Sequence, residues 1–442
     1  MSVRFPVAAA TIALLAGMHG LANALVVDPH TTPDSPGYTE AARAILDGGY
    51  DVPIGVPGEF GLDVTRLKLP PDVLATPAPY TVRAPGYPLL LAAAGGGGDG
   101  VSRWVVIVLQ AVLFSAATWL LILTARRVWS PRVALAAGTL LALDPFTKRY
   151  VGVLLTECLA MLLVAAALYP LVRAFPSQRI GWWTATGAAV GTAALVRPSL
   201  ALLAPLAAVV ALTCPFSARS RVAAAAAVAG AVLVVIAPWA VRNWTLTGEP
   251  VLAGFGSGWG LLLAAHGEGS ARPLAEVDAD PAFLRDFTSV HRFAPSPGEL
   301  RREPSKYPRY LLRADNVQRR LGWDLYRERL SDTPAAVAGE YLSRVAFLWT
   351  ADDDWLQPPA LDALTPLEWA LLALVAAGVA LSIVAGGAAR TLALIVLAFT
   401  LTSAAVHVET RYSYPFRGLY FAFAVVPLDA LVRRIVSRRS AR

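Results

Sequence analysis

The chain has 442 residues, of which 56% are hydrophobic and 16% charged, with a mean hydropathy of +0.53. That is too apolar for a soluble protein of this size and points to a chain embedded in a membrane. A net charge of +7 does not argue for a nucleic-acid partner, because the basic residues collect at the ends of apolar runs and there report topology. The two cysteines, Cys158 and Cys214, lie in or beside apolar runs without metal-ligand spacing, so neither a disulfide scaffold nor a zinc site is indicated.

In chain order, ten apolar segments are expected to cross the bilayer, at about 6–27, 101–124, 132–147, 150–172, 180–195, 198–213, 221–240, 364–386, 390–406 and 414–432. The stretch 180–213 is too long for one helix, and Arg197-Pro198 divides it into two. The linkers 125–132, 171–179, 214–221 and 386–390 and the tail 433–442 contain Arg but no Asp or Glu, which assigns them to the cytoplasm. With Arg4 on the same side an even number of spans is needed, and ten satisfies it. The run 336–350 is read as a surface helix, because an eleventh span would put the basic tail outside and the acidic 352–354 inside.

The expected fold class is therefore an all-α polytopic membrane protein with about ten transmembrane helices and two long extracytoplasmic loops. Residues 1–240 form an N-terminal transmembrane module that includes the loop 28–100. Residues 241–362 form a second extracytoplasmic region, and 363–442 hold the last helices and a basic cytoplasmic tail. Loops of this length usually carry function. Both termini are expected in the cytoplasm.

This topology brings ionisable residues from seven segments to the outer boundary: Asp28 and Asp34, Arg83, Asp144 with Lys148 and Arg149, Glu157 about two turns into the fourth span, Arg197, Arg242, and Glu409 with Arg411 and Arg417. Charges at this depth are costly and mark either a functional site or a paired network. Outward arginines also run against the positive-inside bias, so an anionic partner at headgroup level, such as a lipid phosphate, fits them. Asp34, in the rigid turn PDSPGY, is the candidate proton acceptor and Asp28 its nearest rival; the alternative for Asp34 is a helix N-cap. Glu157 either contacts substrate or pairs with Arg149 or Lys148. His266 and Glu268, in HGEG, are secondary candidates, and a single His with one carboxylate is weak evidence for a metal.

The ordered motifs PDSPGYTEAARAIL, RAPGYPLLLA, LLTECLAMLL, ALVRPSLALLAP, APWAVRNWTLTGEPV and TRYSYPFRGLYF resemble the GT-C superfamily, in particular the protein O-mannosyltransferases and aminoarabinose lipid A transferases with their bacterial relatives. The resemblance implies a membrane glycosyltransferase, hexosyl or pentosyl, that takes a sugar from a polyprenyl-phosphate donor to a lipid, glycan or protein acceptor on the extracytoplasmic face. It implies Asp34 as catalytic base and Arg83, Arg242 and Arg411 around the donor phosphate, with Lys148, Arg149, Glu157 and Arg197 as further candidates for substrate binding. The sequence indicates no metal, and whether a divalent cation assists stays open. The chain departs from the relatives in lacking Asn in 255–269 and in having Asp-Ser where the protein mannosyltransferases have Asp-Glu, so sugar and acceptor stay open. A transporter or flippase of a lipid-linked sugar is the alternative, although no repeated halves are visible in the sequence.

Overall fold

The computed structural model describes residues 4–26, 32–56, 68–96, 100–177, 179–252, 254, 256–268, 277, 279–350 and 364–440. In chain order the main helices are α1 (Arg4–Val26), α2 (Ser35–Leu46), α3 (Gly86–Ala93), α4 (Gly100–Val128), α5 (Pro131–Leu143), α6 (Glu157–Ala174), α7 (Ile180–Ala194), α8 (Leu203–Thr213), α9 (Ala218–Thr247), α10 (Ser257–Ala265), α11 (Lys306–Asp332), α12 (Pro334–Phe347), α13 (Thr365–Ala385), α14 (Gly387–Ser403) and α15 (Arg417–Ser440). A two-stranded antiparallel hairpin, β1 (Asp51–Pro53) with β2 (Pro77–Pro79), pairs Val52 with Ala78.

Each of the ten expected spans contains a helix, and among the described residues five helices, α1, α4, α6, α9 and α13, are long and apolar enough to cross a membrane unaided. Three shorter apolar stretches, Pro131–Leu143, Pro198–Thr213 and Gly387–Ser403, pack among them. The chain is a multi-pass membrane protein. Its helices meet largely through small residues: a Cβ on Gly378 of α13 would lie 1.9 Å from the Phe423 carbonyl oxygen of α15, so only glycine permits that approach.

The fourth span differs from expectation. The α-helix begins at Glu157, and residues 147–152 form a 3₁₀ turn followed by irregular backbone. The freed carbonyls of Val151 and Val153 each accept from the Gln110 side-chain amide at 2.9 Å, and that of Leu154 accepts from the Ser35 hydroxyl at 3.2 Å. Non-helical backbone is tolerated at this depth only when its polar groups are satisfied inside the protein. The consequence is that Glu157 sits in the first helical turn of α6, beside the unpaired N–H groups that favour a negative charge, and not two turns inside.

The two long segments outside the spans fold on one another. Ala41, Val52, Ile54 and Val73 from the first share a buried core with Leu300, Tyr307 and Leu311 from the second. Helix α11 packs along α10. Asp315 of α11 accepts from the backbone N–H of Gly256 and Gly258, at 3.1 and 2.7 Å, and so fixes the turn that leads into α10. Gly256 has φ +128°, a conformation that requires glycine. The α12 run, expected as a surface helix, is a half-exposed helix whose Tyr341 hydroxyl donates to the Leu401 carbonyl of α14 at 2.7 Å.

Candidate active site

Asp34 is the N-cap residue of α2, yet its side chain makes no capping bond. Thr32 and Ser35 do that work instead, the Thr32 N–H donating to the Ser35 hydroxyl oxygen at 2.9 Å and the Ser35 N–H to the Thr32 hydroxyl oxygen at 3.2 Å. The Asp34 carboxylate is thereby left for other partners. It is buried, and its two oxygens are held by two arginines that reach it from opposite ends of the sequence: Arg83 Nη2 donates to Oδ1 at 2.8 Å and Arg411 Nη2 to Oδ2 at 3.0 Å.

Each arginine is fixed by its own surroundings. The Arg83 guanidinium lies 4.8 Å from the Tyr38 ring centre and donates to the Tyr38 hydroxyl at 3.4 Å. Arg83 reaches this place because Gly86 packs on the turn before Arg197. The Gly86 N–H donates to the Leu195 carbonyl at 2.7 Å, and a Cβ there would lie 2.6 Å from Val196 Cγ2. Arg411 also donates to Glu409 at 3.0 Å. Arg197 donates to Glu157 at 3.0 Å and stacks 5.1 Å from the Tyr412 ring centre, so Glu157 pairs across to the turn that follows α7.

Asp34, Tyr38, Arg83, Glu157, Arg197, Arg411 and Tyr412 line a cavity of about 520 Å³, whose other walls include Trp259, Ser257, Leu202, Phe399, Thr402, Ser403 and Val406. His407 also lines it. Its Nδ1 lies 2.5 Å from Glu268 and its Nε2 3.6 Å from Glu409. Burial opposes the charged imidazolium, but Glu268 and Glu409 override it and raise the His407 pKa to about 9. Burial likewise acts to raise the Glu409 carboxyl, and Arg411 and His407 reverse that and hold it well below the ordinary range.

Of the residues singled out in the sequence, Asp34, Arg83, Glu157, Arg197 and Arg411 converge on this cavity. Others lie apart from its walls. Lys148 Nζ sits 2.9 Å from His19 Nε2. Arg149 is buried in the 3₁₀ turn beside the Phe146 ring. Arg242 donates to the carbonyls of Tyr80 and Tyr50 at 2.9 and 3.4 Å and stacks on Trp239, so its charge braces the first long loop. His266 pairs with Asp286 at 3.1 Å, and Glu268 reaches the cavity only through His407. Asp28 lies outside the described residues. Arg417 is fully buried between Asp144, at 3.2 Å, and Glu368, at 2.6 Å, a separate network. Among the described residues no group of three or more His, Cys, Asp or Glu is arranged to hold a metal. The sequence reading missed Tyr38, Trp259, His407 and Tyr412, whose types alone do not separate a site wall from ordinary core.

The combination suits an anion with a reactive neighbour. Three guanidiniums lining one cavity can hold phosphate oxygens through short charged hydrogen bonds, and a fixed carboxylate beside them can accept a proton.

Residues 90–242 match the family model for dolichyl-phosphate-mannose-protein mannosyltransferase. No curated protein matches the sequence. Among solved structures, the oligosaccharyltransferase AglB from Archaeoglobus fulgidus in complex with an inhibitory peptide and a dolichol-phosphate is similar over 98% of this chain and 51% of that one, at 14% identity and a TM-score of 0.55. Its apo form gives 0.56 at 13% identity, over 98% of this chain and 52% of that one. ArnT from Cupriavidus metallidurans bound to undecaprenyl phosphate gives 0.40 at 14% identity, over 97% of this chain and 78% of that one. The chain thus spans about half the length of the oligosaccharyltransferase whose fold it shares. The family model thus matches about a third of the chain, and the fold as a whole is similar to that of the archaeal oligosaccharyltransferase.

Proposed function

We propose that the chain is a membrane glycosyltransferase that moves a sugar from a polyprenyl-phosphate donor to a hydroxyl of a lipid, glycan or protein acceptor at the extracytoplasmic face. The observation that carries this reading is the Asp34 carboxylate clasped by Arg83 and Arg411 in the wall of the cavity. A relative in fold with a bound dolichol-phosphate supports it, and the arginine-only linkers and tail support the orientation, with both termini cytoplasmic.

In the proposed step, Arg83, Arg411 and Arg197 hold the donor phosphate and stabilise the charge that grows on it as the bond from the anomeric carbon to the phosphate oxygen breaks. The acceptor hydroxyl forms a new bond to that carbon, its proton passes to Asp34, and polyprenyl phosphate leaves. Asp34 retains lone pairs for this, since a carboxylate offers about four acceptor positions and two are used by the arginines. The apolar wall at Leu202, Phe399 and Val406 suits the part of the donor next to the lipid.

The test is sugar transfer by purified protein in detergent, where no membrane separates two compartments. A transferase forms product there; a flippase, which only relocates its substrate, forms none, and an absence of product with protein that still binds donor would overturn the reading.

A further inference from the structure

One charged group on the cavity wall has no part in the proposed step. His407 is 5% exposed, stacks edge-on against Trp259 with ring centres 4.9 Å apart, and is fixed by its own backbone N–H, which donates to the Gly260 carbonyl at 2.8 Å. Its ring stands between two carboxylates. Glu268 follows α10 and Glu409 leads into the last 3₁₀ turn. Glu409 in turn binds Arg411, and Arg411 binds Asp34. The ring nitrogen Nε2 is buried and makes no hydrogen bond.

Arg83, Arg197 and Arg411 face Asp34, Glu157 and Glu409 through direct ion pairs, and Glu268 adds a fourth carboxylate through His407. Three permanent cations therefore meet four acids. With a neutral imidazole these ion-paired groups sum to one negative charge and with an imidazolium they balance, so protonation makes the pocket more favourable to a phosphate, and an incoming anion can take Arg411 without leaving Glu409 uncompensated. Arg344 of α12 adds one positive charge nearby in both states of the ring, so the difference that protonation makes, one positive charge, is unchanged. Arg344 is fully buried and spends its guanidinium on the carbonyls of Ala404 and Glu268 and on the Tyr326 hydroxyl. Arg329 and Glu340 pair with each other.

We infer that His407 is a positioning residue of the anion pocket: as an imidazolium clamped by Glu268 and Glu409, it frees Arg411 to bind the donor's phosphate. This rests on the phosphate-binding reading above and adds a residue that neither the sequence motifs nor the family resemblance singles out. The raised His407 pKa, to about 9, places the transition within reach of a binding experiment.

The experiment measures binding of undecaprenyl phosphate to the purified full-length protein in detergent between about pH 7.5 and pH 10, a range in which a phosphate monoester, with a second pKa of about 6, keeps a constant charge. Wild type should lose about tenfold in affinity across the range as one charge is removed from the pocket. His407→Gln should already bind about tenfold more weakly at the lower end and show little pH dependence. Glu268→Gln, which removes one carboxylate from the ring, should move the wild-type fall to lower pH, a displacement that damage to the fold does not produce. His407→Gln with wild-type affinity, or with the wild-type pH dependence, overturns the inference. If in addition Arg411→Ala abolishes binding, only the role of His407 fails; if wild type does not bind, or Arg411→Ala binds as wild type does, the phosphate-binding reading fails with it.

Discussion

Arg417 offers a measurement of how far buried charge shapes this fold apart from its chemistry. Its guanidinium is entirely buried, bonded to Asp144 at 3.2 Å, Glu368 at 2.6 Å and the Trp349 carbonyl at 3.3 Å. Arg417→Met keeps much of the volume and leaves two carboxylates without their cation. Leaving a buried charge uncompensated costs roughly 3–5 kcal/mol, a large share of the stability of any domain. Asp144 retains some support, since the Phe146 and Thr147 N–H groups and the Thr147 hydroxyl also donate to it. The variant Arg417→Met/Glu368→Gln/Asp144→Asn removes every charge at once and should recover most of the loss, because an ion network often contributes little net stability over neutral groups of similar shape. Thermal unfolding of detergent-purified protein, followed by tryptophan fluorescence, reads both. A single variant as stable as wild type, or a triple variant no better than the single one, would refute the reasoning.

Other outcomes follow from the same geometry. Gly86→Val should destabilise by about 1–3 kcal/mol through overpacking against Leu195 and Val196 and should weaken donor binding by moving Arg83 away from Arg197; melting and binding measurements together check it. Asp315→Asn should cost about 1–3 kcal/mol, because the Gly256 and Gly258 N–H groups lose a charged acceptor, and hydrogen exchange at 256–260 should rise. Arg411→Lys should weaken phosphate binding about tenfold, since a single ammonium cannot reproduce the planar fork that spans Asp34 and Glu409. For stability against pH, His407 has a folded-state pKa raised from 6.5 to about 9. Its contribution is fully present below about 6.5 and is lost as pH rises through about 9, an interval equivalent to about 3 kcal/mol. His407→Gln should flatten that fall in a melting series.

Hydropathy and loop charge were enough to find the helices, because a bilayer demands long apolar runs and sorts arginine to one side. They were not enough to find where α6 begins. Residues 150–156 are as apolar as a helix, and what unwinds them is the side chain of Gln110, forty residues away, together with Ser35. The site divided in the same way. Arginines at apolar boundaries stood out singly, and Asp34 stood out by its turn, but the pairing of Asp34 with both Arg83 and Arg411 depends on contacts 49 and 377 residues apart. Arg242 and Lys148 carry the same local signature as Arg83 and brace loops and helix ends instead. His407 was silent in the sequence, since its meaning comes from Glu268, which approaches from a distant loop.

The central claim is that Asp34 accepts the acceptor's proton during sugar transfer. Asp34→Asn keeps the size of the side chain and an oxygen for one arginine, and removes the base. Transfer by the purified variant, measured beside wild type at matched abundance and with donor binding checked separately, should fall by roughly 10²–10⁴-fold while the protein still folds and inserts. Product formation at the wild-type rate by Asp34→Asn would contradict the account.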